Sequence, residues 1–406
     1  MTLSPGRGVL FSRQHLDEFQ VLSVMGLRSL FRPGRRRLSC SPATSPSQVQ
    51  AEHGAPDAGF SLNFEAVRGK ASDLQLSETG SVMPAGSLRD GPEPGRAAPP
   101  AAPVLWLRMT DAEIDVTADL VRDLLKEQHP DLAGLAIREV AGGWGNQMWR
   151  LGDELAVRMQ RMDPTPELQL KERRWLPVLA PCLPLPVPTP VRFGEPSARF
   201  PKHWTVMTWV PGEPLDHSSI SRGDHAADTL AGFLTALHVA APADAPISGD
   251  RGDHPMKCTE GFDHFFRSVV PDDLADDVRA VWDDAVAAPE WEGPPLWVHG
   301  DLHPANVVVS DGTFSGVIDF GDMFAGDPAW DLAAAWVILP AGAASRFFDV
   351  YAQADAGTIR RARGLAALKS LFLMLMGQAG DRGLPGGKPT WGPAGRAALD
   401  RVLKGV

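Results

Sequence analysis

Between Trp297 and Asp331 the chain reads WVHGDLHPANVVVSDGTFSGVIDFGDMFAGDPAWD. Short apolar runs with strand character alternate there with loops, so the residues that follow each run are carried to the strand ends. Asp301, Asn306 and Asp319 are set in this way on two loops.

These residue types share one chemistry. Phosphoryl transfer from a nucleoside triphosphate asks the protein mainly to position the reactants and to neutralise charge with a metal ion. An Asp five residues before an Asn can accept the proton of an acceptor hydroxyl while the Asn carbonyl ligates the metal, and Asp301 and Asn306 stand at that separation. Asp319, directly after the apolar pair Val317–Ile318, supplies a second ligand from another loop. Such oxygen ligands suit magnesium. Taken singly, HGD or DFG is ordinary turn sequence. In order, and each beside an apolar strand pattern, His299-Gly300-Asp301, Asn306 and Asp319-Phe320-Gly321 point to phosphoryl transfer.

With its catalytic loop reading HGDLHPAN, the chain resembles the aminoglycoside phosphotransferase family over about residues 110–400. Gly300 and His303-Pro304 place the resemblance in the small-molecule branch of the protein-kinase-like fold. It implies an α+β, bilobal protein with a small antiparallel-sheet lobe at residues 109–210 and a mostly helical lobe at 211–406. It also implies Asp301 as catalytic base, Asn306 and Asp319 as magnesium ligands, and ATP or GTP with Mg2+ as cofactors. Asp331, in GDPAWD, corresponds to the residue that buttresses the catalytic loop.

Upstream, VAGGWGNQMWRLG forms a glycine-rich turn between strands at Leu135–Val140 and Met148–Leu151, and backbone amides around Gly143, Gly145 and Asn146 could cover phosphates. The glycines do not form GxGxxG. On the next strand, Leu155–Met159, a Lys is expected to pair with the α- and β-phosphates, and this sequence offers Arg158. Arg carries the charge with a planar fork in place of a point-like ammonium. The resemblance puts its carboxylate partner just before Trp-Leu-Pro in the helix Pro166–Leu179, at Glu172, with Glu167 as competitor. A strand at His203–Val210 followed by Pro211-Gly212 reads as the hinge between lobes. Adenine would lie there, and the resemblance implies Met207 at the back of its pocket with the backbone of Thr208 and Val210 hydrogen-bonding the base.

Composition divides the chain near residue 105. Residues 1–108 carry 12 Lys/Arg against 9 Asp/Glu, a net of +3, and 109–406 carry 27 against 41, a net of −14. The first part lacks periodicity and is Ser/Pro-rich at Ser39–Ser47 and Pro/Gly/Ala-rich at Pro84–Pro103, so residues 1–108 read as a disordered, low-complexity extension. Its basic run RPGRRR at 32–37 is the size of an ordinary solvated patch, and no nucleic-acid partner is expected. MTDAEIDVTADLVRDLL, from Met109, has the look of a translation start; the intact mass of the native protein decides that point. No apolar stretch reaches the roughly 18 residues that span a bilayer. Three cysteines, Cys40, Cys182 and Cys258, form no CxxC pair, which fits a reducing cytoplasm.

The larger lobe is expected to hold helices at 223–239, 259–269, 272–287, 326–338, 343–353, 357–378 and 392–403, the sixth apolar nearly all round and hence buried. GGKPT at 386–390 lacks the other elements of a phosphate loop and reads as a plain loop. The expected partner is a small-molecule hydroxyl acceptor. The acids Asp272, Asp273, Asp276, Asp277, Asp283 and Asp284 would favour a cationic one, and solvated helix faces account for them equally well. The alternative is a catalytically silent nucleotide-binding module that docks a partner through its basic N-terminal tail.

Overall fold

The computed structural model describes residues 115–140, 146–160, 166–248, 251–384 and 386–405. The 1–108 extension, Gly143, Gly145 and Cys40 lie outside these residues, and so does the side chain of Glu167.

Helix α1 (Ala118–Gln128) begins where the Thr117 hydroxyl accepts the amide of Leu120 at 3.2 Å, satisfying one of the open donors of the first turn. Val121, Leu124 and Leu125, spaced to share one helix face, are buried. They close over the inward residues of β2 (Asn146–Leu151), β3 (Leu155–Gln160) and β5 (Trp204–Thr208), namely Trp149, Leu151, Val157, Met159, Trp204 and Val206. With β1 (Ile137–Val140) and β4 (Pro190–Gly194), these strands form one antiparallel sheet in the order β1-β2-β3-β5-β4. Between β3 and β4 runs α2 (Pro166–Leu179), opened by a proline where the missing N–H costs nothing. Sequence periodicity does not reveal β4. It follows a Pro-rich segment and starts on Pro190, which an edge strand tolerates, with a register shift between Pro190 and Arg192.

The second lobe comprises β6 (Glu213–Pro214), α3 (Gly223–Leu237), α4 (Thr259–Val269), α5 (Ala275–Val286), β7 (Leu296–Val298), β8 (Val307–Ser310), β9 (Thr313–Val317), β10 (Phe324–Gly326), α6 (Ala329–Leu332), α7 (Ala334–Val337), α8 (Ala343–Tyr351), α9 (Ala356–Asp381) and α10 (Trp391–Lys404). As expected, α9 is buried on nearly every side, with Leu365, Leu368, Leu371, Met374 and Met376 in the core against α4, α5 and α10. The stretch 326–338 departs from expectation. Gly326 pairs with Leu296 in a sheet and the carboxylate of Asp327 takes the amide of Ala329, so helix begins only at Ala329, and it is interrupted at Ala333 to give two short helices. All six acids at 272–284 are exposed, and Asp284 accepts from Arg360 at 2.9 Å; they behave as solvated helix faces. The α+β, bilobal, protein-kinase-like fold is therefore the fold of this chain.

Candidate active site

Two small antiparallel ladders set the site. β7 lies against β10 with Val298 opposite Phe324, and β8 turns into β9 at Asp311-Gly312, both in the left-handed region as a two-residue hairpin requires. The loop 299–306 therefore runs from β7 to β8, and 318–323 from β9 to β10, so both loops leave neighbouring strand ends. Gly300 lets them approach: at φ +86°, a Cβ there would sit 2.6 Å from the carbonyl oxygen of Asp322.

Behind the first loop lies a buried polar network. Asp331, in the first turn of α6, accepts the amides of His299 at 2.7 Å and Gly300 at 3.0 Å, and faces His238 Nε2 at 3.3 Å. The His238 Nδ1 in turn faces the Tyr351 hydroxyl at 2.7 Å. His299 ties the two loops together, because its Nε2–H donates to Ile318 O at 3.0 Å while Nδ1 accepts the Asp301 amide at 3.2 Å. That pattern defines a neutral imidazole, and burial pushes its pKa down accordingly. The buried Lys369 Nζ, from α9, donates to Trp330 O at 3.0 Å and Leu302 O at 3.4 Å. Arg361 makes a two-pronged pair with Asp327 at 2.7 and 3.3 Å.

On this frame Asp301 faces the cleft, its side chain 31% exposed. Asn306 Nδ2 donates both to Asp301 O at 2.9 Å and to Asp301 Oδ2 at 3.1 Å, which turns Oδ1, the acceptor of its side-chain amide, away from Asp301. His303 Nε2 lies 3.5 Å from Oδ2, and Arg251 Nη1 lies 3.3 Å from Oδ1. Burial raises the pKa of Asp301, but the charges of Arg251, His303 and Lys369 outweigh it and hold the carboxyl well below the usual carboxylate range. Asp319 occupies the left-handed region at φ 64°, ψ 70°, an unfavourable conformation for a residue with a Cβ and one characteristic of functional positions. Asp319 is an exposed residue. The dense protein walls around its carboxyl, with Glu172, Asp301 and Asp322 nearby and opposed by Arg158, push its pKa up to about 6.

The smaller lobe contributes one buried ion pair. Arg158 of β3 and Glu172 of α2 meet in a two-pronged contact, Nη1 to Oε1 at 3.1 Å with Nη2 on Oε2, so Glu172 is the carboxylate that takes Arg158. Burial opposes the charge on Arg158, yet Glu172 and Asp319 together hold its pKa above the ordinary value. Lys171 on the same helix donates to Met323 O at 3.3 Å, fastening α2 to the segment beyond Asp319. Asn146 opens β2 opposite Gln160. At the hinge Met207 and Val210 are buried, and the Thr208 amide donates to Thr189 O at 2.9 Å.

The structure thus brings Asp301, Asn306, Asp319, Arg158 and Glu172 together, puts Met207, Thr208 and Val210 on one strand end, and leaves Gly143 and Gly145 outside the described residues. Sequence reading missed Arg251, Lys369, His238 and the pair Asp327–Arg361. Lys369 and Arg361 did leave a trace, as basic residues within a helix that is otherwise apolar nearly all round. Arg251 stands in a Gly/Asp/Pro loop with no periodicity to single it out.

The residues fit a magnesium ion. Among the described residues no three His, Cys, Asp or Glu side chains form a ready-made cage. One carboxylate and one outward-turned amide oxygen, in a surplus of negative charge, are what an ion shared with phosphate oxygens requires.

Fold and site together define a phosphotransferase of the kinase-like class. The model of the phosphotransferase enzyme family, APH, matches residues 136–365, and the chain belongs to that family. Among solved structures, the GDP complex of wild-type aminoglycoside 2'-phosphotransferase-IIIa is similar with a TM-score of 0.53 at 18% identity, over 70% of this chain and 97% of that chain. The GDP and kanamycin complex of APH(2")-IIia gives a TM-score of 0.51 at 18% identity, again over 70% and 97%. At such identity the likeness is one of fold. No curated protein matches the chain.

Proposed function

We propose that this protein is a kinase of small molecules that transfers the γ-phosphoryl group of ATP or GTP to a hydroxyl of an antibiotic or a metabolite. The observation that supports this most is the pair of hydrogen bonds that Asn306 Nδ2 donates to the backbone oxygen and the carboxylate of Asp301, which would hold the base and turn a metal-binding oxygen the other way. In the reaction, the bond between the γ-phosphorus and the β–γ bridging oxygen breaks and one to the acceptor oxygen forms. The hydroxyl proton passes to Asp301, whose ionised state at neutral pH leaves it ready to accept. Asn306 and Asp319 would hold magnesium, which when bound neutralises charge on the phosphates. Arg158, oriented by Glu172, would meet the α- and β-phosphates, with the backbone amides of Gly143, Gly145 and Asn146 as further phosphate contacts. Met207, Thr208 and Val210 would bind the base. The Thr208 amide is engaged by Thr189, so Val210 is the hinge residue better placed to donate.

Aminoglycosides, of which kanamycin is bound in one structural neighbour, are one acceptor class. The exposed acids of the larger lobe do not by themselves select a cation. No helix of the described residues is long and apolar enough to cross a membrane. The cysteine pattern fits a cytoplasmic location. We assign residues 109–210 and 211–406 as the two lobes. The extension before them, on which a docking module would depend, lies outside the described residues.

A thermal-shift screen of hydroxyl compounds with ATP and magnesium identifies acceptors by the stabilisation that native-state binding brings. Turnover with each hit is then compared between wild type and Asp301→Ala. The expected result is loss of turnover with the melting temperature kept. Turnover by the variant at the wild-type rate would refute the assignment of the base.

A further inference from the structure

The loop between α3 and α4 brings a guanidinium to the reacting side of Asp301. Arg251 Nη1 lies 3.3 Å from Asp301 Oδ1, 2.7 Å from Asp322 Oδ2 and 3.5 Å from Gly300 O, with the side chain 16% exposed. Its backbone is held on both sides. The Arg251 amide donates to Ser248 Oγ at 2.8 Å. Gly252, at φ +81°, packs so closely under Phe324 of β10 that a Cβ would sit 2.2 Å from the ring. Beyond it, the Trp330 indole donates to Asp253 O at 3.2 Å and His254 Nε2 donates to Ala288 O at 2.8 Å. This loop is fastened to the same strand and helix that fix the two candidate loops.

The two oxygens of Asp301 are served differently. Oδ2 has Asn306 and His303, which belong to the same loop and hold the carboxylate in place. Oδ1 has Arg251, from a different segment, whose contact with Asp322 is the shorter one. A hydroxyl approaching Asp301 within hydrogen-bond reach, about 2.6–3.2 Å, competes with Arg251 for Oδ1. The phosphorus it attacks lies a further 3–3.5 Å or so beyond the acceptor oxygen. A guanidinium displaced from Oδ1 and still tethered by Asp322 therefore stands beside the equatorial oxygens of the group in transit. Cationic donors there act on the charge that spreads over those oxygens in the transition state.

We propose that Arg251 is a catalytic residue that contacts the phosphoryl group in transit, supplied by the chain itself and tethered by Asp322. This rests on the kinase reading of the same site. The γ-phosphoryl moves from the ADP oxygen to the acceptor oxygen and the proton goes to Asp301 as above; Arg251 neither gains nor loses a proton.

Binding of magnesium–ADP by calorimetry, with and without aluminium fluoride as a mimic of the phosphoryl group in transit, tests this without an acceptor. Wild type is expected to bind ADP at least about tenfold more tightly when fluoride is present. Arg251→Ala should bind magnesium–ADP within about twofold of wild type and lose most of the fluoride-dependent gain. Arg251→Lys should keep part of the gain, and Asp322→Asn should lose less than Arg251→Ala does. Far-ultraviolet circular dichroism and melting temperature show that each variant is folded, and Arg251→Lys carries the test if the alanine variant is not. An unchanged fluoride gain in folded Arg251 variants overturns this assignment alone. Equal weakening of both complexes makes Arg251 a structural tether and overturns it as well, as does tighter magnesium–ADP binding, which would make Arg251 a plug in the acidic cluster. No fluoride gain in the wild type would overturn the kinase reading, and this assignment with it.

Discussion

The two lobes hold their functional side chains by different means. In the larger lobe Asp301 is placed by a buried relay in which Asp331, His299, Asn306 and Lys369 each satisfy backbone groups of the loops themselves. In the smaller lobe Arg158 depends on one carboxylate, Glu172, across the gap between a strand and a helix, and Arg158 Nε is buried without a partner among the described residues. A relay to the backbone fixes a position; a single ion pair fixes a charge and lets its position follow the helix. On the proposed function, the side of the site that would hold the base is accordingly preorganised, and the side that would meet the phosphates is the adjustable one.

The largest effect that can break this contrast is removal of Asp331. Asp331→Ala strands two buried amides and His238, and should cost about 3–5 kcal/mol of unfolding free energy, read as a lower urea midpoint at unchanged slope. A loss below about 1 kcal/mol would mean the relay is not what holds the loop.

Next in size is the ion pair. Arg158→Met or Glu172→Leu alone leaves a buried charge and should cost about 2–4 kcal/mol, whereas the double variant should recover most of that stability. Nucleotide affinity should stay low in the double variant, since it lacks the cation. If the double variant is no more stable than the singles, the pair does not act as a unit.

Lys369→Met sharpens the comparison from the other side. Burial pushes the Lys369 pKa down, so exchanging the ammonium for an apolar chain removes a costly charge along with two donated bonds. Stability should change by about 1 kcal/mol or less, while kcat falls on the order of tenfold through looser placement of Asp301. A change in KM alone would contradict it.

The smallest effect is on Asp319 and depends on pH. Its folded pKa, about 6, lies above the roughly 3.9 of an unfolded Asp. Its stabilising contribution is therefore complete below about pH 4 and is lost as pH rises through about 6, so the ionised carboxylate weighs against the ligand-free fold at neutrality. Because Asp319 is exposed, the cost is well below the full shift, about 1 kcal/mol or less. Asp319→Asn should raise the melting temperature of ligand-free protein at pH 7.5 and not at pH 4, and should weaken magnesium–nucleotide binding. An equal rise at both values would show that charge is not the cause.

How much of this was legible in the sequence follows the same division. The strand-loop-strand pattern from Trp297 and the buried helix α9 announce themselves, because side-chain type and short-range spacing dictate them. The resemblance singled out Glu172 before Trp-Leu-Pro, with Glu167 as competitor, and the structure pairs Glu172 with Arg158. What stayed hidden depends on contacts distant in sequence. β4 is a strand only because β5 lies beside it, Gly326 is strand and not helix because it pairs with Leu296, and Arg251 gains meaning only once Phe324 and Trp330 fix its loop.

The most direct test of the whole account is anomalous diffraction from crystals grown with manganese in place of magnesium and a non-hydrolysable ATP analogue. A manganese peak bound by Asn306 Oδ1 and the Asp319 carboxylate, with the terminal phosphate directed toward Asp301, is the predicted result. A peak held by other residues, or a terminal phosphate pointing away from Asp301, would contradict it.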